Sequence, residues 1–150
     1  HFHPDALYES LFEAGRPQAF LGSSTFRQLQ QGYQEDFAAS AALTPIVEES
    51  AFAVYQLPSA AWARRVSGVF SNDLVRAFPA RAHAVLTERD DGAFLVSVRA
   101  PFDRRTGAEA VCSQFANGGG REAAAGIDRL PADELGRLVN ALAAEYGGQP

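Results

Sequence analysis

This chain of 150 residues contains no methionine and no lysine, and all 13 of its basic residues are arginine. Because a native translation start is missing, we expect a fragment or a processed product. Isoleucine is scarce, at positions 46 and 127 only, whereas alanine is abundant. This bias is typical of a GC-rich bacterial gene, so the arginine count alone is not evidence of ion binding.

Long apolar runs and cysteines are equally scarce. No run approaches the length of a membrane span, and the start of the chain lacks the basic and hydrophobic regions of a signal peptide. The single cysteine, Cys112, excludes an intramolecular disulfide, and its place on the apolar side of a short helical pattern predicts a buried, inert thiol. We therefore expect a cytoplasmic protein with no membrane partner.

The charge and composition favour a soluble globular protein. The net charge of −5 argues against electrostatic binding of nucleic acid, although it leaves room for a local basic pocket. The hydrophobic fraction of 47% and the aromatic fraction of 11% are enough for a real core.

Apolar periodicity predicts an α/β (α+β) fold. Helices are expected over 4–14, 24–43, 107–116, after a cap at Ser59, and from Pro131 onward. Strands are expected at 51–57, 82–88, 93–99 and 125–127, with the middle two forming a hairpin. The sum is a small mixed sheet of three to four strands flanked by helices and preceded by an N-terminal helical arm.

The segment Asn117–Gly126, NGGGREAAAG, carries the strongest functional signal. Three glycines, Gly118 to Gly120, let a ligand approach the backbone closely, and the guanidinium of Arg121 can grip a phosphate through two parallel hydrogen bonds. A flexible surface loop is the alternative that composition alone favours. The spacing is that of neither a P-loop nor a dinucleotide-binding fingerprint.

Arg99 is the second candidate. In the strand 93–99, Phe94, Val96 and Val98 point one way, so Arg99 projects from the other face at the strand end. A weak surface salt bridge is the plain alternative.

Three of these features together resemble the C-terminal signature of the DHH phosphoesterase superfamily, over roughly residues 50–146. They are Val-Ser-Val-Arg at 96–99, a short helix ending at Phe115, and the glycine run. The associated C-terminal domain of that superfamily usually carries three glycines, a His, two variable residues and Ala-Ala-Gly. Arg121 stands where His is usual, whereas Ala124, Ala125 and Gly126 match.

The resemblance implies that residues 50–150 form a DHH-associated substrate-binding domain, and that residues 1–49 are a helical arm or linker from a missing N-terminal domain. The implied substrate is a short oligonucleotide, a cyclic or linear dinucleotide, or a related phosphoester. In the family the Val-Ser-Val-Arg segment lies beside the glycine loop, which favours Arg99 over Arg104 and Arg105. The implied substrate-binding residues are Arg99, Asn117, Gly118, Gly119, Gly120, Arg121, Ala124 and Ala125.

The catalytic half is missing from this chain. The superfamily is named for an Asp-His-His motif in its N-terminal domain, whose ligands hold divalent ions that activate water. Only His1, His3 and His83 are present here, and we read the first two as a frayed terminus and the third as structural. We therefore expect no catalytic residue, no metal ligand and no cofactor in this chain. Mn or Mg is expected in the missing domain, and this chain alone is predicted not to hydrolyse phosphoesters.

Two other functions stay open. One is an RNA-binding module, since a related glycine-rich domain ends alanyl-tRNA synthetases, although the acidity weighs against it. The other is a non-catalytic oligomerisation domain, in which residues 4–43 pack against another domain or form a homodimer.

Overall fold

The computed structural model describes residues 1–148, which divide into two compact units, one spanning His1–Ala41 and a larger one that begins at Ala42. The last two residues of the predicted domain lie outside the described part. The first unit holds three helices: α1 (Pro4–Ala14), α2 (Pro17–Leu21) and α3 (Ser24–Ala41). Gly15, in the left-handed region at φ 67°, ends α1, as is usual for a glycine after a helix.

The N-terminus packs against α3 and is not frayed. The His1 ring lies where a Cβ on Gly32 would be, and its Nε2 atom is 3.3 Å from the buried Asp36 Oδ2. The expectation of a frayed terminus was wrong because a glycine in the helix leaves room for the ring. Tyr33, also on α3, is 50% exposed.

The second unit is built on a mixed sheet of six strands within the described residues. They are β1 (Val47–Glu48), β2 (Phe52–Leu57), β3 (Ala82–Glu88), β4 (Phe94–Arg99), β5 (Gly118–Arg121) and β6 (Ala124–Leu130). The spatial order is β1-β2-β3-β4-β6-β5, and only β2 and β3 are parallel. The α+β class is confirmed, with two more strands than predicted: the two-residue β1 and the glycine segment β5.

Helices cover the sheet unequally. On one face, α5 (Ala108–Cys112) and α6 (Leu135–Tyr146) bury the main core. Its most deeply buried members include Val54, Leu86, Val96, Val98, Ile127, Leu130, Leu138 and Leu142. On the other face, α4 (Ala61–Ala77) packs over β3 and, to a lesser extent, over β4. Leu95 on that second face of β4 is 40% exposed, so the sheet is open there.

Helix ends differ in detail from the sequence expectations. Ser59 does not cap α4, whose N-cap is Ala60; its Oγ instead donates a hydrogen bond to Asp90. Pro131 opens a short 3-10 turn, Ala132–Glu134, before α6. In the described part of the chain, none of the helices is long and apolar enough to cross a membrane.

Candidate functional site

The glycine run is an edge strand and not the loop that its composition predicted. β5 pairs antiparallel with β6, with Gly118 opposite Ile127 and Gly120 opposite Ala125. A Cβ on Gly118 would collide with the carbonyl oxygen of Cys112, and one on Gly120, at φ 149°, would lie 2.6 Å from the Ala125 Cα. These two glycines are therefore required by close packing of the strand, which overrides their poor strand propensity.

Packing does not require a glycine at position 119. A Cβ built at this position meets no atom within 4 Å. Gly119 lies opposite Gly126, where a Cβ would come within 2.9 Å of the Val96 carbonyl oxygen, so the second glycine is needed by the sheet and the first is not. The missing side chain of Gly119 leaves free space over the open face.

Sheet register brings the two candidate arginines onto one row. Arg99 in β4 is opposite Ala124 in β6, and Ala124 is opposite Arg121 in β5. Directly opposed residues of antiparallel strands project from the same face, so both guanidinium side chains flank the small Ala124. The neighbouring row consists of Ser97, Gly126 and Gly119. It lies on the same face of the sheet, and its side chains are small or absent.

Arg99 is held in place by neutral groups. Its Nε donates to Asn72 Oδ1 at 3.2 Å and its Nη1 donates to Ser97 Oγ at 2.8 Å. Burial lowers the pKa of Arg99, and the positive charge of Arg121 lowers it further. No carboxylate among residues 1–148 forms an ion pair with either guanidinium. The surface salt bridge considered for Arg99 is therefore absent from the described part of the chain, and two like charges lie close together without a counter-ion.

The other sequence-predicted site residues lie away from the open face. Asn117 adopts a left-handed conformation at φ 58° immediately before β5, and its carbonyl accepts a hydrogen bond from the Asp128 N–H at 3.2 Å. Ala125 is buried on the core side, next to Gly120. The structure thus brings Arg99, Gly119, Arg121 and Ala124 together. Gly118 and Gly120 lie in β5 and Ala125 lies in β6, all three facing the core side, and Asn117 immediately precedes β5.

A cleft of about 340 Å³ adjoins Arg99. It lies between α4 and the loop after β4, and its lining is Asn72, Val75, Arg76, Arg99, Ala100, Phe102, Arg105 and Ala123. The Cζ atom of Arg105 lies 4.4 Å from the centroid of the Phe102 ring. The resemblance favoured Arg99 over Arg105, and the contact of Arg105 with Phe102 could not be predicted, because a turn residue three positions after an aromatic carries no distinctive pattern.

Arg104, next to it, has a structural role. Its Nη2 atom is 2.5 Å from Glu145 Oε1, and its guanidinium lies over the Tyr146 ring at 5.4 Å. These contacts tie the loop after β4 to α6, and they direct Arg104 away from the cleft.

A second cleft, of about 380 Å³, lies at the opposite end of β3 and is lined by Arg64, Thr87, Glu88, Arg89, Asp90, Asp91 and Leu95. Three carboxylates accompany its two arginines, and Arg89 Nε is 3.8 Å from Asp91 Oδ1. Because its positive charge is compensated, this cleft suits an anion less well than the row of Arg99 and Arg121.

The remaining reactive side chains are buried and neutral. Cys112 is fully buried, as predicted, and burial raises the pKa of its thiol to about 12. Burial and the nearby charge of Arg81 lower the pKa of His83 to about 4. Among the described residues, no three His, Cys, Asp or Glu side chains cluster in a way that could hold a metal ion. The donor set for the divalent metal that the DHH resemblance implies is therefore not found in residues 1–148.

Comparisons with known proteins find similarity at the level of structure only. No family model and no curated protein matches the sequence. The pGpG-specific phosphodiesterase PggH of Vibrio cholerae superposes with a TM-score of 0.62 at 11% identity, over 97% of this chain and 52% of that one. An exopolyphosphatase-related protein of Bacteroides fragilis superposes with a TM-score of 0.56 at 16% identity, over 75% of this chain and 34% of that one.

The likeness establishes the fold. This chain spans about half the length of the first neighbour and about a third of the second.

Proposed function

We propose that the second unit is the substrate-binding domain of a DHH-type metal-dependent phosphoesterase, and that it holds the phosphate end of a short oligonucleotide or dinucleotide. The observation that carries the proposal is the row of Arg99, Ala124 and Arg121, in which two guanidinium groups have no paired carboxylate among residues 1–148. A bound phosphate would neutralise both charges and accept charge-assisted hydrogen bonds from the N–H groups of both guanidinium groups.

The two structural neighbours support the phosphoester class. One is described as acting on pGpG, a linear dinucleotide, and the other is related to exopolyphosphatases. Both are much longer than this chain. In the proposal, hydrolysis is carried out by an N-terminal domain with Mn or Mg, and this chain binds and orients the substrate.

The two arginines differ in how they would bind the phosphate. Arg99 is oriented before the ligand arrives, because Asn72 and Ser97 hold its Nε and Nη1 atoms. Such preorganisation reduces the entropy lost on binding. Arg121 is exposed at the edge of the sheet and can close on the phosphate from the opposite side of Ala124. The free space over Gly119 allows the ligand to lie flat against the strand.

Titration of the full chain with pGpG, a linear dinucleotide with a 5′-phosphate, tests the proposal. Arg99→Ala should weaken binding by about 10- to 150-fold, the value of a charge-assisted hydrogen bond at a partly buried group. Arg121→Ala should weaken binding by about 2- to 5-fold, because Arg121 is exposed and its contact is screened by water. Arg129→Ala is the matched control, because Arg129 is an arginine of β6 whose Nε is 3.0 Å from Asp91 Oδ2, away from the site. Equal affinity for the parent and all three variants, each folded by circular dichroism, would reject the site.

A further inference from the structure

We propose that the cleft beside Arg99 is a nucleobase subsite whose wall is the stacked pair of Phe102 and Arg105. The inference rests on the proposed function, because it takes the phosphate on Arg99 as the anchor of the ligand. It adds that the ligand must carry a base next to that phosphate, which inorganic polyphosphate does not.

The pair is placed by the backbone of the loop after β4. Arg105 has a left-handed backbone, φ 57°, which is uncommon for a residue other than glycine. Its N–H donates to the Pro101 carbonyl at 2.8 Å, so the turn is closed by a hydrogen bond. The turn places Arg105 beside Phe102, with its Cζ atom 4.4 Å from the centroid of the ring, and 49% of the Phe102 surface is exposed.

The cleft is continuous with the phosphate row. Arg99 belongs to both, and the Ala100 N–H donates to the Ala123 carbonyl at 3.1 Å, which joins the end of β4 to the turn between β5 and β6. Asn72, which positions Arg99, also lines the cleft. The cleft is thus within reach of the group that follows a phosphate bound at Arg99.

Three arginines line the cleft and would attract any phosphate, so the argument for a base rests on the exposed Phe102 ring and the Asn72 amide. Aromatic rings and arginine planes are the surfaces on which unstacked bases lie, and an exposed ring contributes nothing to binding a polyphosphate. The Asn72 amide accepts from Arg99 through its oxygen, so its NH₂ group is left as a donor for the edge of a base. The cleft volume of about 340 Å³ is within the range of small-molecule sites.

The test compares adenosine 5′-monophosphate with ribose 5-phosphate, which has the same phosphate and sugar but no base. The parent chain should bind the first probe about 5- to 150-fold more tightly, the usual value of one stacked base. Phe102→Ala should remove that difference and leave the affinity for ribose 5-phosphate unchanged, and Phe102→Trp should restore it.

Phe78→Ala is the matched control. Phe78 is 45% exposed and lies under the Arg81 guanidinium at 5.2 Å, yet it does not line the cleft. This variant should bind both probes as the parent does.

Failure of the inference and failure of the proposed function give different results. If the parent binds both probes equally, or if Phe102→Ala weakens both equally, the base subsite is rejected while the phosphate site stands. If tripolyphosphate binds more tightly than adenosine 5′-monophosphate and Phe102→Ala has no effect, the cleft holds phosphates and the inference is overturned. If Arg99→Ala leaves ribose 5-phosphate binding unchanged, the phosphate anchor itself is wrong and both proposals fall.

Discussion

Replacing His83 by leucine should stabilise the second unit in mild acid. The His83 side chain is fully buried on β3, with the rings of Tyr55 and Phe78 centred 6.4 Å and 6.1 Å away. Neither of its ring nitrogens has a hydrogen-bond partner in the described part of the protein. Burial, together with the positive charge of Arg81, lowers its pKa from 6.5 to about 4.

The sign and size of the effect follow from this pKa. Because the folded-state pKa is the lower one, the unfolded chain takes up the proton first as the pH falls. The contribution of neutral His83 is complete above about pH 6.5 and is lost progressively down to about pH 4. A difference of about 2.5 pH units, at about 1.36 kcal/mol per unit, corresponds to about 3 kcal/mol of unfolding free energy.

Urea unfolding followed by the fluorescence of Trp62, the only tryptophan, measures this loss in the second unit. Between about pH 7.5 and about pH 4.5, the parent should lose about 2.5 kcal/mol more than His83→Leu, since leucine fills the same site and cannot be protonated. His3→Leu is the control, because the His3 side chain is 76% exposed. A parent and a His83→Leu variant with the same pH slope would show that His83 does not titrate as its burial requires.

Three further predictions address the site. Gly118→Ala should destabilise the fold, because its Cβ would collide with Cys112. Gly119→Ala should change the free energy of unfolding by no more than about 0.5 kcal/mol and should weaken phosphate binding. Urea unfolding measures the first effect and ligand titration the second, and equal losses of stability in the two variants would contradict the packing argument. Arg121→His should make the affinity for ribose 5-phosphate, relative to that of the parent, fall as the pH rises through about 6.5, since histidine loses its charge there and arginine does not; a constant ratio would mean that residue 121 does not contact the ligand. The chain alone, incubated with Mn²⁺ and pGpG, should show no hydrolysis above a buffer control; turnover abolished by a substitution within this chain would contradict the division of roles.

The hairpin and the direction of Arg99 could be predicted because they depend on local alternation. Phe94, Val96 and Val98 point into the core, so Arg99 had to project from the opposite face. Apolar residues at helical spacing likewise predicted the helices of the second unit, whose observed ends differ from the predicted ones by a few residues.

The strand formed by the glycine run could not be predicted, because glycine has poor strand propensity and the cause lies in tertiary packing. Gly118 and Gly120 are in a strand because they pair with β6, and they must be glycine because Cys112 and Ala125 leave no room for a side chain. The same holds for Arg105, which reaches the cleft through a left-handed turn that nothing in its sequence requires.

The most direct test of the central claim is to map where a phosphate ligand binds. Backbone amide shifts of the isotope-labelled full chain, titrated with ribose 5-phosphate, locate the contact residue by residue. We expect the largest shifts at Gly119, Arg121 and Ala124, together with a shift of the Arg99 Nε–H signal. Shifts confined to the acidic cleft around Asp90 and Asp91, or no shifts at millimolar ligand, would contradict the account.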